Sequence, residues 1–493
     1  MTKSFDVLIC GAGISGLYCG QRILEDAARK GRKIRVGIIE SRSRVGGRIW
    51  TTRFPEFPDT NLELGAFRFM ENHHLVAKLV KKYGLKTELV HSEDQQLYFL
   101  RGKKYIKNNV RAINSAYHLQ PAEAGMTAAQ LLEFAIKKAM PGYRWDSFKA
   151  PHDQIQLALK KADASNLGFK HFLLQFISNE AFCLIRDSSG YDSSFFNWNS
   201  REALAHVVND FVLSPKSFSL HGGSDQLIKS LKADFLELGG EIYLNTSLQN
   251  FNLVRSGSER VIQCGVSDGK SKKTQLVKAK ELILAIPQKP LFQLMHRSPA
   301  IRSPEVDRLL SSVYPLNAVK IFLGYDTSWW KKVCPQVTMS ISDSPLRKTF
   351  YQLPTKKDGK NKGGVLLAAY SDMENFYFWD GLMPPASSGN SKDMAEVNSA
   401  VTAMLSRMHG AKVPVPVAGK IIRWSTEHAG AAFHAWKPGV DCIKVRENIS
   451  KPVADVPVYI CGEAYSSYQC WMEGALISAD SMLNKYFDNT KKR

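Results

Sequence analysis

The chain has 493 residues, 44% of them apolar and 23% charged, which excludes a disordered chain or a small disulfide scaffold and leaves room for two or three domains. No apolar run nears the roughly 18 residues of a membrane helix, so no membrane partner is expected. The formal charge of +20 would suit a nucleic-acid binder. Yet the basic residues fall in short groups (Arg29 to Lys33, Lys270 to Lys273, Lys356 to Lys362) beside turn residues, which reads as a solvated cationic surface with no nucleic acid expected.

In chain order, Phe5 to Cys10 is a branched apolar run that predicts a buried strand. Its apolarity does not make it a signal peptide, because cleavage there would destroy the glycine loop that follows, and a cytoplasmic location is expected. Gly11-Ala-Gly13-Ile-Ser-Gly16 leads into an amphipathic helix over Leu17 to Ala28, and Ile34 to Ile39 is a second strand ending on Glu40. In such a unit Gly11 permits the tight turn, Gly13 lets backbone approach a pyrophosphate and Gly16 lets helix pack on strand. Glu40 can take the hydroxyls of a ribose, so a bound dinucleotide is expected. Gly46 and Gly47, flanked by Arg44 and Arg48, suit a second close approach to diphosphate.

Further along, helical periods dominate 110–215: Ala128 to Met140, Gln154 to Ala162 and Phe169 to Ile185. A second dinucleotide-domain segment opens at His221-Gly-Gly-Ser-Asp225 and continues through Glu241 to Asn245 and Leu282 to Pro287. From 291 to 449 strands alternate with turns: Ala318 to Leu323, Lys348 to Gln352 and Gly364 to Tyr370. A third segment holds Val458 to Glu463 and a final helix. Dinucleotide-binding segments are therefore expected at 1–60, 216–290 and 450–493, a substrate domain at 61–109 and 291–449, and a helical insert at 110–215. The eight cysteines form no CxxC and predict reduced, mostly buried thiols with no zinc site.

GAGISGL, a strand ending in Glu and RVGGR together resemble the FAD-binding start of the flavin amine oxidase family, which includes monoamine, polyamine and L-amino acid oxidases. More narrowly, GAGISGL, GGRI, ELGAxR, LILAIP, the Trp329-Trp330 pair, PLRK and WMEGA…SA resemble bacterial L-tryptophan oxidases of violacein-type pathways. The resemblance spans the chain. It implies an α/β fold: a discontinuous Rossmann-like FAD domain, a mixed-sheet substrate domain and a helical insert.

The resemblance also implies roles. The FAD contacts fall on Gly11, Gly13, Ser15, Gly16, Glu40, Arg42, Gly47, Arg48, Gly65, Ala66, Phe67, Leu248, Trp424, Gly462, Glu463, Trp471 and Met472. Covalent monoamine oxidases carry a cysteine where this chain has Ala432, so the FAD is expected to be non-covalent. Arg68 is expected to grip a substrate carboxylate, which an amine lacks, and so separates amino acid from amine oxidases. Lys320, alone in an apolar strand, is expected to hold a water at the flavin. Phe350 and Tyr351 point to opposite faces of one strand; Tyr351, with the hydroxyl, is expected to help Arg68, while Phe350 in its place would remove one donor. Ala431 and Trp471 are expected against the substrate, and His428 and His434 as structural histidines.

These readings converge on an FAD-dependent L-amino acid oxidase that yields a 2-oxo acid, ammonia and H2O2, with an L-amino acid and O2 as its partners and with homodimers or larger homo-oligomers open. An amine or polyamine oxidase of the same fold is the nearest rival. A demethylase-like flavoprotein binding nucleic acid is the more distant one.

Overall fold

The computed structural model describes residues 3–90, 96–106, 109–141, 166–212, 216–257, 259–269, 274–352, 363–384, 389, 393–425 and 430–491. Its first sheet, of seven strands among these residues, runs Glu241–Tyr243, Val36–Ile39, Ser4–Cys10, Thr274–Leu284, Glu259–Asp268, Thr246–Ser256, with Val458–Ile460 also paired to Thr274–Leu284. The strand Thr274–Leu284 changes partners along its length. Its first half lies antiparallel to Glu259–Asp268, and its last residues lie parallel to both Ser4–Cys10 and Val458–Ile460. Three distant stretches of chain thus share one parallel core.

The side-chain alternation of Ser4–Cys10 builds two apolar layers. Val7 and Ile9 pack with Leu17, Leu227 and Leu476, from the helices Ile14–Arg29, Asp225–Glu237 and Met472–Lys491. Leu8 and Cys10 face the opposite layer, which continues into Phe169, Phe182 and Ala203 of the helical region. There the expected helix from 128 appears as Ala128–Ala139. The period read over 169–185 divides into Phe169–Leu173 and Asn179–Ser189, because the Ser178 side chain accepts from Ala181 N–H and caps a new helix. The helix read over 154–162 lies outside the described residues.

A second seven-stranded sheet runs Ala418–Trp424, Ala318–Tyr325, Gly364–Asp372, Lys348–Gln352, Met339–Ser342, Gln96–Leu100, Lys103–Ile106. Val319, Ile321 and Leu323 face the helix Ala395–His409 through Val397, Val401 and Leu405. Phe322 and Phe350 face the other way, against Phe57, Leu62 and Leu64. All the cysteines are free thiols. No helix among the described residues is long and apolar enough to cross a membrane.

Candidate active site

A cavity of about 520 Å³ opens at the C-terminal ends of Ser4–Cys10 and Val36–Ile39 and runs to Lys320 and Tyr370 on the second sheet. The three glycines of the first loop divide their work. Gly11 has φ +107°, and a Cβ there would lie 2.4 Å from the Ala285 carbonyl oxygen; at Gly16 it would lie 1.9 Å from that of Gly11, while at Gly13 it would meet nothing within 4 Å. Gly11 and Gly16 are therefore required by packing, and Gly13 leaves its face open to the cavity. The helix Ile14–Arg29 starts at Gly13 with no side-chain cap, so its first N–H groups remain for a ligand.

The Glu40 carboxylate accepts from Ala12 N–H and Arg42 N–H, each at 2.9 Å, which fixes it at the cavity wall. Gly46 N–H donates to the Ala12 carbonyl at 2.8 Å, joining the two glycine loops edge to edge. Arg44, in contrast, spends its guanidinium on carbonyls of its own loop, including that of Gly47 at 2.6 Å. Arg48 reaches across to Glu463 at 2.9 Å and the Ala432 carbonyl at 3.0 Å. Burial would raise the Glu463 carboxyl, but His434 and Arg48 outweigh it and hold it at about 2. Burial lowers the proton affinity of His434 while Glu463 opposes it, and its Nδ1 lies 2.8 Å from the Glu463 carboxylate. His428 lies outside the described residues.

Of the expected cofactor contacts, Gly11, Gly13, Ser15, Glu40, Arg42, Gly47, Arg48, Gly65, Ala66, Leu248, Trp424, Gly462, Glu463, Trp471 and Met472 all line this cavity. Gly16 and Phe67 do not. Gly16 is consumed by helix–strand packing, and the Phe67 ring lies edge-on to Phe350 with centroids 5.7 Å apart. Ala431 is fully buried and also off the cavity, which Gly430, Ala432 and Phe433 line instead. Gly462, with φ +138° and open space where a Cβ would go, mirrors Gly13 on the far wall. An elongated cavity with bare backbone at both glycines, two helix N-termini and Glu40 at one end fits a dinucleotide. Cys10 and Cys470 line it as well. Burial pushes the Cys10 thiol up to about 12 and the Cys470 thiol well above its ordinary value, so both stay protonated.

At the other end Lys320 is buried, its Nζ donating to the carbonyls of Glu63 at 2.9 Å and Gly65 at 2.5 Å. Burial lowers its proton affinity and Arg68 lowers it further, while Glu63 opposes both. Its neighbours are the rings of Phe67 and Tyr370, 4.7 and 4.5 Å from Nζ. Arg68 stands beside this group, its guanidinium 5.7 Å from the Trp471 ring and its Nη2 3.4 Å from the Tyr191 hydroxyl. Among the described residues no carboxylate forms an ion pair with Arg68. Trp471 is held by Asp210, which accepts from its Nε1 at 2.7 Å and from the Tyr468 hydroxyl at 2.5 Å.

Tyr351 is not part of this cluster. Its hydroxyl bonds Ser340 at 2.6 Å and His409 at 2.8 Å behind the sheet, among Trp329 and Trp330. Phe350, on the opposite face, packs against Phe67, so neither residue offers the expected donor. The hydroxyls near Arg68 are those of Tyr370, opposite Lys320 in the ladder, and Tyr191, from the helical region. Tyr370, Tyr191, Lys348 and Asp210 were all missed from sequence. Lys348 alone carried a signal, as part of the PLRK motif, though its strand Lys-Thr-Phe-Tyr-Gln is more polar than that of Lys320.

The fold and the family are shared with known proteins. Putrescine oxidase bound to putrescine superposes with a TM-score of 0.69 at 17% identity over 99% of this chain and all of that one, so the two share a fold. Achacin of Lissachatina fulica is 25% identical over 99% of this chain and 94% of its own. An L-amino-acid oxidase of Siganus canaliculatus is 26% identical over 97% and 84%, and a putative L-amino-acid oxidase of Bacillus subtilis (strain 168) is 25% identical over 96% and 92%. Residues 14–481 match the flavin containing amine oxidoreductases, and the chain belongs to that family.

Proposed function

We propose that this protein is an L-amino acid oxidase with a non-covalently held FAD. The observation that carries the reading is the basic cluster beside the Lys320 and Tyr370 wall of the cavity, with Arg68 in no ion pair among the described residues. Arg68, Lys320 and Lys348 gather around Tyr370, and the nearby carboxylates are already engaged: Glu63 by Ser224 N–H and Thr51, and Asp372 by Ser193 and Asp192 N–H. Such a site repels a cationic amine and welcomes a carboxylate.

When bound, the flavin accepts a hydride from the substrate Cα and passes two electrons to O2, giving H2O2, while the imino acid hydrolyses to a 2-oxo acid and ammonia. Gly13, Gly47 and Gly462, the two helix N-termini and Arg48 would hold its diphosphate, Glu40 its ribose, and Gly65, Trp424 and Trp471 its ring system. The remaining work belongs to this chain's own groups. Arg68 offers a fork to the carboxylate. Burial keeps Tyr191 and Tyr370 protonated as neutral donors beside it. Trp471, fixed by Asp210, closes one side. Lys320, whose burial brings its proton affinity down to about 7, spends two N–H groups on carbonyls and in its unprotonated form keeps a lone pair at Nζ that can take a proton from a water in the cavity.

Peroxide release should follow addition of L-amino acids and not of putrescine or simple amines. Arg68→Ala should lower kcat/KM for L-amino acids by about 10²-fold or more. Unchanged kinetics in that variant, or turnover of amines alone, would point to an amine oxidase.

A further inference from the structure

Lys348 is the one charged side chain of the cluster with no assigned work. It lies in a row across the second sheet, Lys348–Tyr370–Lys320–Ile422, set by the strand register. Lys348 pairs with Tyr370, which lines the cavity. The residue is 5% exposed, and its stem is clamped: a Cβ on Gly190, at φ +74°, would come within 2.5 Å of Lys348 Cε. Its Nζ sits 3.9 Å from the centre of the Tyr191 ring, whose hydroxyl reaches Arg68. Among the described residues no carboxylate pairs with it and no hydrogen bond satisfies it. A buried amine so placed, beside a second unpaired cation, is costly unless an anion arrives.

We propose that Lys348 is a second anion-binding point next to Arg68, so that the preferred substrates are L-amino acids bearing a side-chain carboxylate. The inference rests on the amino acid oxidase reading and deepens it. With Arg68 on the α-carboxylate, Lys348 meets a side-chain carboxylate. A dicarboxylic amino acid also supplies one more negative charge than a neutral one, which matches Arg68 together with the proton that an arriving carboxylate would return to the buried Lys348 amine. The groups facing Lys348 are Arg68, Arg347, Tyr191, Tyr370 and Asp372. Of these, Arg347 is paired with Asp192 at 3.2 Å, and Asp372 is engaged by Ser193.

The test compares isosteres in the holoenzyme: L-glutamate with L-glutamine, and L-aspartate with L-asparagine, followed by peroxide release. Wild-type kcat/KM should favour an acid over its amide by about tenfold or more, as expected for one charge-assisted contact. In Lys348→Met that ratio should fall to near one. A ratio is independent of the fraction of enzyme that folds. Should the variant turn over too slowly, the same comparison is read as the Kd of glutarate against butanoate from the flavin absorbance. Amide turnover equal to or above acid turnover in the wild type overturns the inference, and so does a ratio that survives in Lys348→Met. Neither result touches the broader reading, which fails only if no L-amino acid releases peroxide.

Discussion

At the scale of single residues, the site keeps a lysine where stability would prefer an apolar group. Burial, then Arg68 and Arg347, hold the Lys348 amine well below its ordinary 10.5, with Asp372 opposing. Between the folded value and 10.5 the unfolded chain binds a proton that the folded chain does not, so stability rises with pH across that window. Lys348→Met removes the penalty. Near neutral pH the variant should be more stable by about 1–3 kcal/mol, an advantage that shrinks as pH rises toward 10.5. Thermal unfolding across pH checks this, and a variant less stable than wild type at pH 7 would contradict it. Tyr351 shows the limit of residue-level reading. Its hydroxyl favours it, yet alternation says only that Phe350 and Tyr351 face opposite ways; which face meets the cavity is set by the layers packed on the sheet, and those come from distant parts of the chain.

At the scale of elements, the glycine loop was legible because its logic is local: strand, turn and helix lie within forty residues, each with its own constraint. The same locality makes it separable by mutation. Gly16→Ala should destabilise the flavin-free protein by about 2 kcal/mol or more, since its Cβ would press on the Gly11 carbonyl and helix Ile14–Arg29 would lift from its strand. Gly13→Ala should leave the stability of the flavin-free chain within about 0.5 kcal/mol while flavin retention falls. Denaturant melts of apoprotein, paired with flavin content after gel filtration, distinguish the two. Equal effects in both assays would dissolve the division of labour. Tyr191, in contrast, had no local signature. It belongs to the helical insert and reaches Arg68 only through tertiary packing, as Asp210 reaches Trp471.

At the scale of the whole molecule, the cavity reads as a site for the full dinucleotide. Its wall continues from Glu40 and Gly13 to Lys320 and Tyr370, and Glu40 beside the glycine loop suits a second ribose, which a flavin mononucleotide lacks. Removal of the cofactor should lower the melting temperature, and FAD should restore it where FMN does not, since only a ligand that binds the folded state shifts the equilibrium. With the cavity's thiols held protonated and Ala432 at its edge, acid precipitation should release the flavin into the supernatant. Yellow colour kept in the pellet would show a covalent bond.

The strand Thr274–Leu284 sets a schedule for the chain's birth. One of its flanks receives Ser4–Cys10, made before it, and the other receives Val458–Ile460, made well after it. Gly462, Trp471 and the start of the final helix leave the ribosome only after that. A nascent chain can therefore fold its first glycine loop, but it has no complete pocket with which to keep a flavin. Flavin capture waits until Val458–Ile460 has joined the sheet, and a chain truncated before that strand should not retain flavin.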